Sequence, residues 1–247
     1  MRLSTWISPF VFAALLAVAP ASHAQGAAIG PLPSVSEAVS NVQKFYDQSQ
    51  TFKADFSQEY LAKAYNQTKQ STGHVTFAKP GKMEWVYDTP KDNRIVSDGT
   101  TLWVYDATNK QAIKQNVKQS ALPSVLSFLS GQGNLNNDFN FQIFGGDQMG
   151  FPGGYVLVGT PKTPNPSVAK VLFYVDAATS QVRRGMVIDA QGNRNRFDFK
   201  NPQVNTPVAQ TQFVYSPGPG VTVINGSNIA GPQGSNGGGA PANAVKP

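Results

Sequence analysis

The chain has no cysteine at all among its 247 residues, so neither a disulfide framework nor a thiolate metal site is available to it. It also lacks the Cys that must follow a bacterial lipoprotein signal. Gln25 stands after Ala24 instead, so the chain is not itself expected to be lipid-anchored. Histidine is nearly absent, with two in all. One of them, His23, lies in the N-terminal leader. No G-x-S-x-G, Walker or G-x-G-x-x-G motif occurs, and Gly145-Gly146 and Gly153-Gly154 read as turns beside strands. His74, set in the uncharged run Gly73–Phe77, reads as a sheet-surface residue rather than the base of a nucleophilic triad. Carboxylates such as Asp47, Asp55, Glu59 and Glu84 are too ordinary a set to define a glycosidase pair. Taken together, these gaps predict a protein that is not an enzyme and needs neither cofactor nor metal.

Long hydrophobic runs are missing too. The longest apolar stretch, Phe10–Ala19, follows Arg2 and precedes Pro20 and Ser22-His23-Ala24. Spanning a bilayer needs about 20 apolar residues, so residues 1–24 read as an export signal cleaved after Ala24, with the mature protein soluble outside the cytoplasm. Charge is sparse, at 14% of residues. Removing the signal takes Arg2 from the twenty basic residues and none of the fourteen acidic ones, leaving a net +5. The basic residues are scattered, which argues against a nucleic-acid partner.

What remains is mostly short alternating runs. Residues 25–33 read as a flexible leader. Ser34 lies three before Glu37, a capping-box spacing, and Val35, Ala38, Val39, Val42 and Phe45 repeat at helical intervals. The period then drops to two. Phe52, Ala54, Phe56, Gln58, Tyr60 and Ala62 alternate with Lys53, Asp55, Ser57, Glu59 and Lys63. Further strands are expected near His74–Phe77, Lys82–Asp88, Arg94–Ser97, Thr101–Asp106 and Gln111–Lys114. Others follow at Phe139–Phe144, Gly154–Thr160, Lys170–Asp176, Val182–Asp189, Arg194–Lys200 and Gln210–Val214. Turn residues separate them, and Asp98-Gly99 between two apolar runs is a hairpin signal. Between Ser120 and Gly131 the strands stop. There Leu122, Val125, Leu126 and Leu129 make one side of a short helix apolar. From Ser216 to residue 247 the chain turns Gly/Pro/Asn-rich, and a disordered tail is predicted. The pattern is mainly β with a few helices: one curled antiparallel sheet over residues 34–215.

Several strands are apolar on both faces, notably Val171–Val175, Tyr155–Val158, Trp85–Tyr87 and Leu102–Tyr105. A half-solvated sheet shows one apolar face only. Two readings are open: helices and loops cover everything, or the curled sheet and a greasy lid helix enclose a pocket for an apolar ligand.

Four stretches in order carry a family likeness. They are Val42–Tyr46 with Thr51–Gln58, Gly73–Trp85, Ile95–Asp106 and Leu122–Gly131. Their order and spacing resemble the periplasmic outer-membrane lipoprotein carrier (LolA) family over about residues 34–200. The resemblance implies an incomplete antiparallel barrel closed by a helical lid. It implies a periplasmic carrier that receives acylated lipoproteins from an ATP-driven inner-membrane releasing complex and passes them to an outer-membrane acceptor, acting as a monomer. Met83 and Trp85 would point into the lipid-binding cavity, to which Phe56, Phe77, Leu102 and Val104 are assigned with them. Leu122, Val125, Leu126 and Leu129 would line the lid. Family members place an arginine before the motif's proline, as a latch on lid carbonyls. Here it is Lys79, whose ammonium can donate to carbonyls but lacks the guanidinium fork. An alternative keeps the fold and changes the role to an envelope lipid or glycolipid sensor without transport.

Overall fold

The computed structural model describes residues 31–117 and 133–226. The predicted signal peptide, residues 25–30 of the leader, and the lid residues Leu122, Val125, Leu126 and Leu129 lie outside this range. Among the described residues no helix is long and apolar enough to cross a membrane.

Helix α1 spans Val35–Gln48. Its N-cap is Ser34, whose hydroxyl oxygen accepts the Glu37 N–H at 3.2 Å, half of the expected capping box. Ala38, Val39, Val42 and Tyr46 form its buried stripe. Tyr46, rather than the predicted Phe45, is the fully buried aromatic of the last turn.

Among the described residues twelve strands follow. They are β1 (Thr51–Ala62), β2 (Gln67–Ala78), β3 (Lys82–Thr89), β4 (Arg94–Asp98), β5 (Thr101–Asp106), β6 (Gln111–Asn116), β7 (Phe139–Gly145), β8 (Gly154–Pro161), β9 (Lys170–Asp176), β10 (Val182–Ile188), β11 (Arg194–Val204) and β12 (Thr222–Asn225). A short helix α2, Leu135–Asp138, precedes β7. The order across the sheet is β12-β6-β5-β4-β3-β2-β1-β11-β10-β9-β8-β7. The sheet has two free ends and is an incomplete barrel. Antiparallel neighbours in sequence pair as hairpins, and β1 joins the two halves by pairing with β11. Register shifts at Lys53/Asp55, Thr72/Gly73 and Val182/Arg184 mark the irregularities that let a long sheet bend. The Asp98-Gly99 turn forms as expected, with Gly99 at φ +98° and Asp98 Oδ1 accepting from Thr100 and Thr101.

Three expectations need correction. Gln210–Val214 is not a strand: Gln210–Phe213 is a single 3-10 turn, and it buries Phe213. The disordered tail does not begin at Ser216. Tyr215 packs on Trp103 and Tyr105, and Thr222–Asn225 add to β6 as the sheet's parallel edge strand. Backbone pairing, to which side-chain composition is nearly blind, orders this stretch. Finally, β2 begins at Gln67, six residues before the apolar run, because Gln67–Gln70 are exposed and leave no alternating signature.

The core lies on the concave face, where the buried residues of α1 join those of the strands in one cluster. The convex face of β8–β10 carries its own small cluster. Val156, Leu172 and Tyr174 are buried there beneath Met149 and Phe151 of the β7–β8 connection. On the other wing, the outward residues Thr76, Glu84 and Val96 are also buried. The segment after β11 anchors there through Gln212 Nε2 on Thr76 Oγ1 at 3.1 Å and Lys82 Nζ on Gln210 Oε1 at 2.5 Å.

Candidate functional site

Alternation along β1 aims Phe52, Ala54, Phe56 and Gln58 inward, and all four are buried. Pairing then sets Val75 and Phe77 of β2, Met83, Trp85 and Tyr87 of β3, and Phe197 and Phe199 of β11 on the same side. The result is a continuous aromatic floor. The Trp85 ring lies 4.9 Å from Phe56, 5.8 Å from Phe77, 5.2 Å from Phe197 and 6.4 Å from Phe199. Phe52 bridges onward to Phe77 and Phe199, at 6.2 and 5.9 Å. Tilted and edge-on contacts of this kind add about 0.5–1.5 kcal/mol per pair beyond burial. One glycine makes the floor possible. Gly73 faces Phe56 across the β1–β2 pair, and a Cβ there would sit 2.9 Å from the Phe56 ring and 2.0 Å from the Val86 carbonyl. A side chain at 73 would evict the ring.

Of the six residues assigned to a cavity, Phe56, Phe77 and Trp85 touch ring to ring. Met83 and Leu102 are buried in the same cluster, and Val104 is half-buried against it. Phe52, Phe197 and Phe199 belong to the same surface. The period-two pattern of β1 and β11 carried them, but single strands do not reveal which neighbours they will meet.

Helix α1 meets this floor at Phe52. Tyr46 is fully buried with its ring 6.2 Å from Phe52, and its hydroxyl oxygen accepts the Val182 N–H of β10 at 3.1 Å. Burial pushes the Tyr46 phenol well above its usual value, the Val182 hydrogen bond opposing. Lys79 sits at the end of the same helix. Its Nζ donates to the Tyr46 carbonyl at 2.5 Å and to the Asp47 carbonyl at 2.7 Å. These are last-turn carbonyls, left orphaned by the helix and favourable to a cation. Desolvation lowers the Lys79 ammonium from its ordinary value, with the nearby Asp47 carboxylate acting against it. Lys79 therefore engages backbone carbonyls of α1. The 122–129 segment on which a latch was expected lies outside the described residues. One turn earlier in the helix, Gln43 Oε1 accepts from Leu135 N at 2.9 Å and ties α1 to α2.

The ionic chemistry lies on the opposite, convex face. His74 is exposed between two carboxylates, Nδ1 at 2.8 Å from Asp55 Oδ1 and Nε2 at 3.4 Å from Asp88 Oδ2. Asp55 also accepts from Asn201, and that bond, with His74, holds its carboxyl below the usual range. Since the second imidazole nitrogen meets Asp88, it is not placed against a hydroxyl nucleophile. A second ladder runs from Glu59 through Arg196 and Asp198 to Arg184, which lies over the Tyr174 ring. Among the described residues no three His, Asp or Glu side chains gather as a metal site.

A curled open sheet with an aromatic concave face under one helix is the architecture of an incomplete β-barrel. The profile of the family described as "Outer membrane lipoprotein carrier protein LolA" matches residues 47–216, and the chain belongs to that family. An outer-membrane lipoprotein carrier protein of Nitrosomonas europaea is 29% identical over 200 residues, 78% of this chain and 92% of its own. One of Nitrosospira multiformis is 28% identical over 227 residues, 91% of this chain and 100% of its own. Among solved structures, an uncharacterized conserved protein of Thermus thermophilus matches with a TM-score of 0.50 at 14% identity, over 78% of this chain and 99% of that one. That last likeness is one of fold alone.

Proposed function

We propose that this chain is a periplasmic carrier that shelters the acyl chains of lipoproteins against its concave face. It takes them from an ATP-driven inner-membrane releasing complex and yields them to an outer-membrane acceptor. It acts as a monomer, changes no covalent bond and needs no cofactor. The observation that carries this reading is the aromatic floor of Phe56, Phe77, Trp85, Phe197 and Phe199, which Phe52 links to Tyr46 at the end of α1, where Lys79 grips the helix. Each buried methylene of cargo is worth about 0.8 kcal/mol, so three acyl chains supply far more than solubility requires. Met83, Leu102 and Val104 extend the apolar surface, while Leu122, Val125, Leu126 and Leu129 are assigned to the lid's inner side.

The test is release of lipoproteins from spheroplasts by the purified, signal-cleaved protein. Soluble complexes with acylated lipoproteins are expected for the wild type and not for Leu126→Asp. Failure of the wild type to release any acylated protein, with the releasing complex active, would falsify the proposal.

A further inference from the structure

Along β1 the inward residues change character. Phe52, Ala54 and Phe56 give way to Gln58 and then to half-buried Tyr60. Gln58 is 3% exposed, Asn195 of β11 is 6% and Tyr87 of β3 is 2%. They are joined: Gln58 Nε2 donates to Asn195 Oδ1 at 2.9 Å, and the Tyr87 hydroxyl donates to Gln58 Oε1 at 3.2 Å. This polar group sits directly on the aromatic floor. The Tyr87 ring is 5.1 Å from Phe56, and Gln58 faces Phe197 across the β1–β11 pair. Past it, the inner surface runs out along the distal β1–β2 hairpin, where Gln67–Gln70 are exposed. Two carboxamides and a phenol at such depth are costly beside leucine and phenylalanine of similar volume, which would continue the apolar floor unbroken.

Resting on the carrier reading, we infer that Gln58, Asn195 and Tyr87 form a polar seat for the carbonyl oxygens that join acyl chains to the glyceryl-cysteine of a lipoprotein. An acylated anchor has hydrocarbon at one end and ester and amide acceptors where the chains converge. The site has the same gradient, with aromatic rings first and buried neutral hydrogen-bond donors next, on the side toward the exposed Gln67–Gln70 end of the β1–β2 hairpin. The donors of the seat carry no formal charge, which suits a neutral ester better than a phosphate headgroup. On loading, Gln58 Nε2 and the Tyr87 hydroxyl turn their donated hydrogen bonds from Asn195 Oδ1 and Gln58 Oε1 to cargo carbonyls.

The experiment compares a synthetic triacylated cysteinyl lipopeptide with its analogue bearing ether links in place of the two esters. Each competes for the full mature chain against N-phenyl-1-naphthylamine, an uncharged dye. The wild type is expected to prefer the ester form by about tenfold, the ratio that one or two such hydrogen bonds produce. Tyr87→Phe, which removes one oxygen and keeps the ring, and Gln58→Leu are each expected to cut that ratio to about twofold or less in a protein that still unfolds cooperatively. Equal wild-type affinity for the two lipopeptides overturns the seat and leaves carriage standing. So does an unchanged ratio in both variants, or a parallel loss of dye and lipopeptide binding with a lowered Tm. Dye binding by the wild type with no competition from either lipopeptide overturns the carrier reading, and the seat with it.

Discussion

The two faces of this sheet are both apolar over much of their area, yet they are covered by different means. On the convex side the covers are close extensions of the sheet's own strands. The β7–β8 connection lays Met149 and Phe151 over Val156, Leu172 and Tyr174, and the segment after β11 covers Thr76, Glu84 and Val96. On the concave side α1, a separate helix, joins the core through its buried stripe of Ala38, Val39, Val42 and Tyr46, and its end is fastened by Lys79 and by one phenol hydroxyl. The contrast resolves the puzzle of strands that are greasy on both sides. One side is closed by the sheet's own connections, while the other carries the aromatic surface that Tyr46 of α1 meets through Phe52.

Substitutions on the two faces should therefore separate stability from uptake. The largest effect is expected from Trp85→Ala, which removes the ring at the centre of the floor. A loss of about 3–5 kcal/mol in denaturant unfolding is expected, together with weakened binding of an apolar dye. Leu172→Ala on the convex face should lose about 2–4 kcal/mol while dye affinity, corrected for the folded fraction, stays unchanged. Altered uptake in that variant would break the division between the faces. Lys79→Ala should cost about 1–2 kcal/mol through two lost charge-assisted hydrogen bonds, yet raise the rate of dye entry. Unchanged entry and unchanged hydrogen-exchange protection of α1 would place the fastening elsewhere.

The smallest effect concerns alkaline pH. Burial raises the phenols of Tyr46 and Tyr87 above their usual value. A raised value in the folded state means stability that is whole below the unfolded phenol's pKa of about 10 and is lost as pH climbs above it. Thermal unfolding of the wild type should fall off above that point, and Tyr46→Phe should flatten the fall while costing about 1 kcal/mol at neutral pH. Parallel alkaline limbs in the two proteins would show that these phenols do not govern it.

Much of this is legible in the residues alone. Short alternating or wholly apolar runs set between turn residues located eleven of the twelve described strands, because a dry face leaves a period of two and two dry faces leave an unbroken apolar run. Asp98-Gly99 announced its hairpin, because only glycine takes the positive φ there without cost. The stretches that escaped are those where side chains carry little of the information. Gln67–Ser71 pair with β1 through backbone alone, and Thr222–Asn225 hide in a Gly/Pro-rich tail while adding to β6. Gln210–Phe213 imitates a strand, since a single inserted phenylalanine looks the same in sequence whether it sits on a sheet or plugs its back. In the site, Phe56, Phe77, Met83, Trp85 and Leu102 could be named from pattern and likeness. Phe197 and Phe199 as their partners, and Gln58 with Asn195, could not.

By itself, the order of residues determined which positions face inward on each strand, where the chain turns, and that no thiol or paired histidine chemistry is available. Those are local consequences of side-chain spacing and type. Only the tertiary structure decided that β1 would pair with β11, that Lys79 would grip the end of α1, and that Tyr87, Gln58 and Asn195 would meet above the rings. Contacts between residues 29 to 137 positions apart depend on how the whole sheet curls, and no short window of sequence records that curvature.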